Sequence, residues 1–134
     1  MRRSVIVLTL FIAWALFLLV LMEAIRAHLV VTGRVRSDAF KRDNAGISPF
    51  MERLARAHAN CVESLPLFGG LLMVAIATGR SGVTDPLAPW LLAARFFQSS
   101  IHLASTRVAA INARFAAFVV QMAIAVYWVW ALLA

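Results

Sequence analysis

The chain has 134 residues, 63% of them hydrophobic and 14% charged, with a net charge of +7. Soluble domains average about 25% charged residues, so this composition excludes an ordinary water-soluble globule, and the length suits one domain rather than two. The basic residues lie between apolar spans, so membrane topology rather than nucleic acid accounts for them, and the single cysteine, Cys61, excludes a disulfide framework and a metal-ligand spacing.

Two uncharged runs, residues 4–22 and 115–134, are each long enough to cross a hydrocarbon core of about 30 Å. The first follows Arg2 and Arg3. It is too long for the apolar part of a secretory signal and ends at no clear cleavage site. It is read as a first transmembrane helix over about 4–31, with Glu23 and Arg26 spaced to pair and His28 in the last turn. A basic connection, 32–48, carries Arg34, Arg36, Lys41 and Arg42 with Asp38 and Asp43.

Ser48-Pro49 starts a second helix over 49–78, with Ser48 as N-cap, Pro49 at the first helical position and Glu52 in the first turn. Arg53, Arg56, Asn60 and Glu63 fall within about 80° of one another on that helix. They lead directly into the apolar run 64–78. Charged side chains at membrane depth usually face a bundle interior or a wet cavity, so this face is a candidate site. The plainer alternative for Arg53 is a helix end snorkelling to the interface. Cys61, on the same helix, reads as a small packed hydrophobe. Pro66 removes a backbone donor and predicts a kink near the site.

Residues 79–86, rich in Gly and Pro, predict a turn. A third helix is expected over 86–108, with Arg95, Gln98, His102, Ser105 and Thr106 on one face within about 100°. The alternative for His102 is a hydrogen-bonded core histidine. A fourth helix is expected over 112–133, with Asn112 as its cap and Tyr127, Trp128 and Trp130 as an interfacial belt. No internal repeat or low-complexity segment is visible. The fold class is therefore all-α, a four-helix transmembrane bundle in one domain spanning 1–134.

Arg34, Arg36, Lys41, Arg42, Arg107 and Arg114 lie on loops one and three, against Arg2, Arg3 and Arg80 on the other side. The positive-inside rule then places loops one and three in the cytoplasm and both termini outside. The Arg-heavy, Lys-poor, Ala-rich composition leans toward a bacterial inner membrane. The polar stripes cluster toward the cytoplasmic ends of helices two and three.

Arginine forks bind carboxylates, a buried glutamate suits an ammonium, and an asparagine matches a peptide amide at donor and acceptor. A ligand with two carboxylates, one amine and peptide amides satisfies the set. Glutathione is one such ligand, and other acidic or zwitterionic amphiphiles share the inventory.

Arg-Ala-x-x-Asn-x-x-Glu-x-x-Pro-Leu-Phe, at Arg56-Ala57, Asn60, Glu63 and Pro66-Leu67-Phe68, resembles the second-helix signature of the MAPEG family, membrane-associated proteins of eicosanoid and glutathione metabolism. Thr32-Gly33-Arg34-Val35-Arg36 with Ala39-Phe40 resembles the segment after the first helix in the prostaglandin E synthase branch. Arg95-Phe96-Phe97-Gln98, then Arg107, resembles the third helix of the leukotriene-synthase branch. The resemblance covers nearly the whole chain. It implies a four-helix subunit in a homotrimer, with glutathione between adjacent subunits. It implies that Arg36 and Arg56 hold carboxylates, Asn60 the peptide and Glu63 the ammonium, with Arg53 on the same face. Arg95 and Gln98 would line the pocket, and Arg107 would activate the thiol, with Arg114 as second choice; His102 is a further candidate, as a donor in place of a missing tyrosine. Branches of the family carry helix-three tyrosines where this chain has Phe96 and either Ser100 or His102.

The implied activity is that of a glutathione-dependent transferase or peroxidase acting on lipophilic electrophiles or lipid hydroperoxides from the bilayer. One alternative is a non-catalytic lipid-binding member, motivated by the missing tyrosines. Another is a small multidrug exporter, which needs a membrane-embedded carboxylate such as Glu63 or Glu23.

Overall fold

A computed structural model describes residues 3–134; Arg2, counted above in the charge balance, lies outside the described residues. The elements are α1 (Arg3–Val31), α2 (Pro49–Ala77), the single turn α3 (Ser81–Thr84), α4 (Ala88–Ala104) and α5 (Val108–Leu133). Helices α1, α2 and α5 are long and apolar enough to cross a membrane. Only 33%, 33% and 28% of those spans is buried within the chain, so most of their apolar surface needs lipid or further protein to cover it. The chain is thus an all-helical integral membrane bundle. The 17-residue α4, about 26 Å long, is shorter than the other three long helices and carries buried Arg95, Gln98 and Ser99.

Local chemistry sets the helix ends. α1 stops where Gly33 takes φ +73°, and the amides of Thr32, Gly33 and Arg34 return to the carbonyls of His28, Val30 and Leu29. Ser48 caps α2 as expected: its backbone is extended and its Oγ accepts from the Met51 amide at 3.1 Å. α2 continues through Pro66 to Ala77.

Three boundaries differ from the sequence reading. The expected turn over 79–86 contains α3. The third long helix ends at Ala104, four residues early, because Ser105 leaves the helix (φ −158°, ψ 150°) and its Oγ accepts from the Arg107 amide at 3.1 Å. The last helix begins at Val108, so Asn112 lies inside α5 rather than at its cap.

α4 and α5 form an antiparallel pair, and α2 packs against both α1 and α4. Phe11, Leu18, Leu54, Phe68, Leu72, Leu91 and Trp128 are fully buried between them. Gly69 marks a close approach of α2 to α1: a Cβ there would sit 3.1 Å from a methyl carbon of Leu8. At the end where α1 begins, Asp85 accepts from the Ser4 amide at 2.8 Å and from the Ser4 hydroxyl. Arg80 donates to the last carbonyls of α5, on Ala131 and Leu132. These contacts place a carboxylate at a helix N-terminus and a cation at a helix C-terminus, the favourable sense of the helix dipole.

Candidate functional site

The polar residues of α2 and α4 meet, but they divide into two layers. The inner layer is centred on Arg95, which is 0% exposed. Its Nη1 donates to Asn60 Oδ1 at 2.5 Å. Gln98 Nε2 donates to the same oxygen at 3.2 Å, and Gln121 Nε2 donates to Gln98 Oε1 at 2.8 Å and to the Ala117 carbonyl at 3.1 Å. Arginine can only donate, so the Asn60 atom facing it is the oxygen. That fixes each amide further along the chain of bonds. The Asn60 Nδ2 hydrogens have no acceptor among the described residues, while its oxygen already accepts two bonds. This corrects the expectation that Asn60 matches a peptide amide at both ends.

No carboxylate hydrogen-bonds or ion-pairs with Arg95 among the described residues. Its guanidinium lies 5.6, 5.8 and 6.0 Å from the ring centroids of Phe11, Phe68 and Phe118. Each such contact is worth about 0.5–2 kcal/mol in a desolvated setting. Nε and Nη2 of Arg95 and Oε1 of Gln121 have no hydrogen-bond partner among the described residues.

The outer layer is a groove of about 500 Å³ between α1, α2 and the 32–48 loop, within the roughly 300–1,000 Å³ range of small-molecule sites. From α2 it is lined by Ala55, Arg56, His58, Ala59, Val62 and Glu63. Met22 and Arg26 come from α1, and Arg42 and Asp43 from the loop. Arg56 and Glu63 are exposed and make no hydrogen bond or ion pair among the described residues. Both remain available to a ligand. The wall thus presents cations and carboxylates over an apolar floor.

The remaining expected site residues lie at or beyond the edge of this arrangement. Arg53 Nε donates to the Leu103 carbonyl at 2.8 Å, tying the start of α2 to the end of α4, and its guanidinium lies 5.9 Å from the Phe50 ring. This is a structural contact rather than lining. His102 is half-buried, within electrostatic range of Arg56 and Arg114. Arg36 is exposed and pairs with Asp38 at 3.2 Å, outside the groove. Arg107 is exposed just before α5 and also outside it. Arg114 is half-buried, and its Nε has no hydrogen-bond partner among the described residues. Phe96 packs edge-on against Trp14, centroids 4.8 Å apart, and Ser100 is exposed. Among the described residues no cluster of His, Cys, Asp and Glu is placed to hold a metal.

Gln121, Arg42, Arg26 and His58 were not singled out as site residues. Gln121 had a readable signal: it is the one amide in the uncharged run 115–134, and such a side chain at membrane depth needs a polar partner.

No curated protein and no solved structure matches the chain. The family model of the MAPEG family matches residues 4–134, the whole described bundle but for its first residue. With the helical membrane architecture and the joined polar residues of α2 and α4, this match settles the kinship: the chain belongs to the MAPEG family, whose province is glutathione and lipid metabolism at membranes.

Proposed function

We propose that the protein is a glutathione-dependent transferase or peroxidase acting on lipophilic electrophiles or lipid hydroperoxides, and that it works as a homotrimer. The observation that carries this reading is the α2 edge, where Arg56 and Glu63, unpaired among the described residues, stand beside Asn60, whose acceptor is tied to Arg95. Arg56 suits a carboxylate, Glu63 an ammonium, and the Asn60 Nδ2 donors a peptide carbonyl or carboxylate. The donor set therefore fits glutathione. When bound, glutathione supplies a thiol that, as thiolate, would displace a leaving group from an electrophilic carbon or, with a second glutathione, would reduce a hydroperoxide to an alcohol and water, leaving glutathione disulfide. The chain's own residues orient the peptide, and a nearby cation favours the ionised sulfur.

Arg107 is the proposed activator. It does not line the groove of its own chain, which accords with a site shared between copies. The large uncovered apolar surface of α1, α2 and α5 supports assembly in the same way. Loops one and three are proposed to face the cytoplasm of a bacterial cell, both termini outside.

A second reading, a non-catalytic lipid-binding protein, draws on a different feature. An apolar groove between α4 and α5, lined by Trp90, Phe97 and Val120 among alanines, opens on the outer surface. With Phe96 on Trp14, no tyrosine hydroxyl reaches the inner layer from that position.

Titration of the detergent-purified protein with glutathione separates these readings, alongside Glu63→Ala and Arg56→Ala. The catalytic reading expects saturable binding weakened about tenfold by each substitution, and turnover of a chlorodinitrobenzene-type acceptor or cumene hydroperoxide. Lipid binding without glutathione binding or turnover would overturn it.

A further inference from the structure

The 32–48 loop carries four cations, and sequence spacing does not rank them. The structure separates them. Arg26 on α1 reaches into the loop and spends its guanidinium there. Nε and Nη2 donate to Asn44 Oδ1 at 2.9 and 2.6 Å, Nη2 also donates to the Lys41 carbonyl at 3.1 Å, and Nη1 donates to Glu23 at 2.9 Å. Asn44 is fully buried with φ +57°, and its Nδ2 donates to the Met51 carbonyl at 2.8 Å, near the start of α2. Lys41 and Asn44 are thereby pinned, and the two residues between them, Arg42 and Asp43, line the groove. Arg42 makes no hydrogen bond or ion pair among the described residues. The pinned cation, Arg26, uses four of its five N–H donors within the chain; the presented one, Arg42, uses none among the described residues.

We propose that Arg42 is a binding residue of the groove, taking a carboxylate of the ligand whose other groups meet Arg56 and Glu63, and that Arg26 and Asn44 are the positioning residues that hold it there. This rests on the groove being the glutathione site. The ligand class it specifies is a small peptide with two separated carboxylates, one for Arg56 and one for Arg42. A cation held on a braced loop loses less freedom on binding than one on a mobile loop. Asn44 suits the brace because its left-handed backbone is one that Asn tolerates and most residues do not.

The test titrates the full-length protein in detergent with glutathione, for the wild type, Arg42→Ala, Lys41→Ala and Asn44→Gly. Arg42→Ala raises Kd about tenfold, the scale of one charge-assisted contact. Lys41→Ala removes the same charge one residue away, on an exposed side chain outside the groove, and leaves Kd within about twofold. Asn44→Gly keeps the backbone conformation but removes both brace contacts. It weakens binding, speeds amide exchange over 41–44, and shrinks the further effect of Arg42→Ala, a non-additivity that simple loss of stability does not produce. Equal losses for Arg42→Ala and Lys41→Ala would overturn the proposal in favour of diffuse loop charge. So would an unchanged Kd for Arg42→Ala in a protein whose Arg56→Ala variant loses glutathione. A wild type that binds no glutathione would instead remove the underlying site reading, a result distinguishable from both.

Discussion

Arg95 of α4 and Asn60 of α2 are joined by a 2.5 Å bond from Nη1 to Oδ1, and that bond decides which face of the asparagine a ligand can meet. The arginine is wholly buried, and among the described residues the asparagine oxygen is its one hydrogen-bonded acceptor, in an otherwise aromatic enclosure. Asn60→Ala removes that acceptor and costs about 1.5–3 kcal/mol, the range for a hydrogen bond to a charged group. Asn60→Asp should behave differently. It supplies a charged acceptor to Arg95 and keeps or raises the thermal midpoint, but it takes away the Nδ2 donors. Glutathione affinity falls about tenfold or more in a fold that stays intact. Thermal unfolding and calorimetric titration of the two variants check this; an aspartate variant that binds like the wild type would show that Asn60 does not touch the ligand.

Much of this arrangement could be read beforehand, and the part that could not has a physical reason. Helical spacing placed Arg53, Arg56, Asn60 and Glu63 on one face of about 80°, and the structure keeps them there. A helical wheel does not say where the neighbouring helix lies. α4 sits against one edge of that face, so Arg53 and Asn60 turn to Leu103 and Arg95 while Arg56 and Glu63 remain at the groove. The ends of α1 and α2 were legible to within a residue because Ser48-Pro49 and Gly33 are strong local signals. The break at 105–107 rests on a single serine hydroxyl and was not. Arg42 was hidden because the course of its loop depends on Arg26 meeting Asn44, 18 positions away.

Gln98 and Gln121 form the rear of the inner layer, and their bond is testable as a pair. Gln121→Leu leaves Gln98 Oε1 without its donor, a buried acceptor costing about 1–3 kcal/mol. Adding Gln98→Leu removes that orphan, so the double variant recovers part of the loss. A double-mutant cycle on chemical denaturation should give a coupling of about 0.5–1.5 kcal/mol. Strict additivity would mean the two amides do not sense each other.

Asp85 offers a control far from the groove. It accepts from the Ser4 amide and hydroxyl at the start of α1, while Met22 and Arg26 line the groove near that helix's other end. A 29-residue helix is about 43 Å long. Asp85→Ala removes an acceptor for the opening amide of α1 and costs about 1–2 kcal/mol, the scale of a lost helix cap. Glutathione affinity should stay within about twofold. Loss of binding at matched folded fraction would indicate coupling along the whole of α1.

Arg107 and Arg114 compete for the role of thiol activator, and their environments give opposite expectations for stability. Arg107 is exposed in the break between α4 and α5. Its replacement by alanine should shift stability by no more than about 0.5 kcal/mol, as for most surface changes. Arg114 is half-buried, its Nε has no partner among the described residues, and it lies within electrostatic range of His102, so Arg114→Ala perturbs packing as well as charge. If Arg107 activates the sulfur, Arg107→Ala leaves glutathione affinity nearly unchanged and abolishes the ultraviolet thiolate band that appears on adding glutathione to the wild type. Because Arg107 is outside the groove of its own chain, the band should also vanish when detergent dissociates the assembly. A band that survives Arg107→Ala but not Arg114→Ala would move the role to α5. A band that persists in the dissociated subunit would place the activator within a single chain.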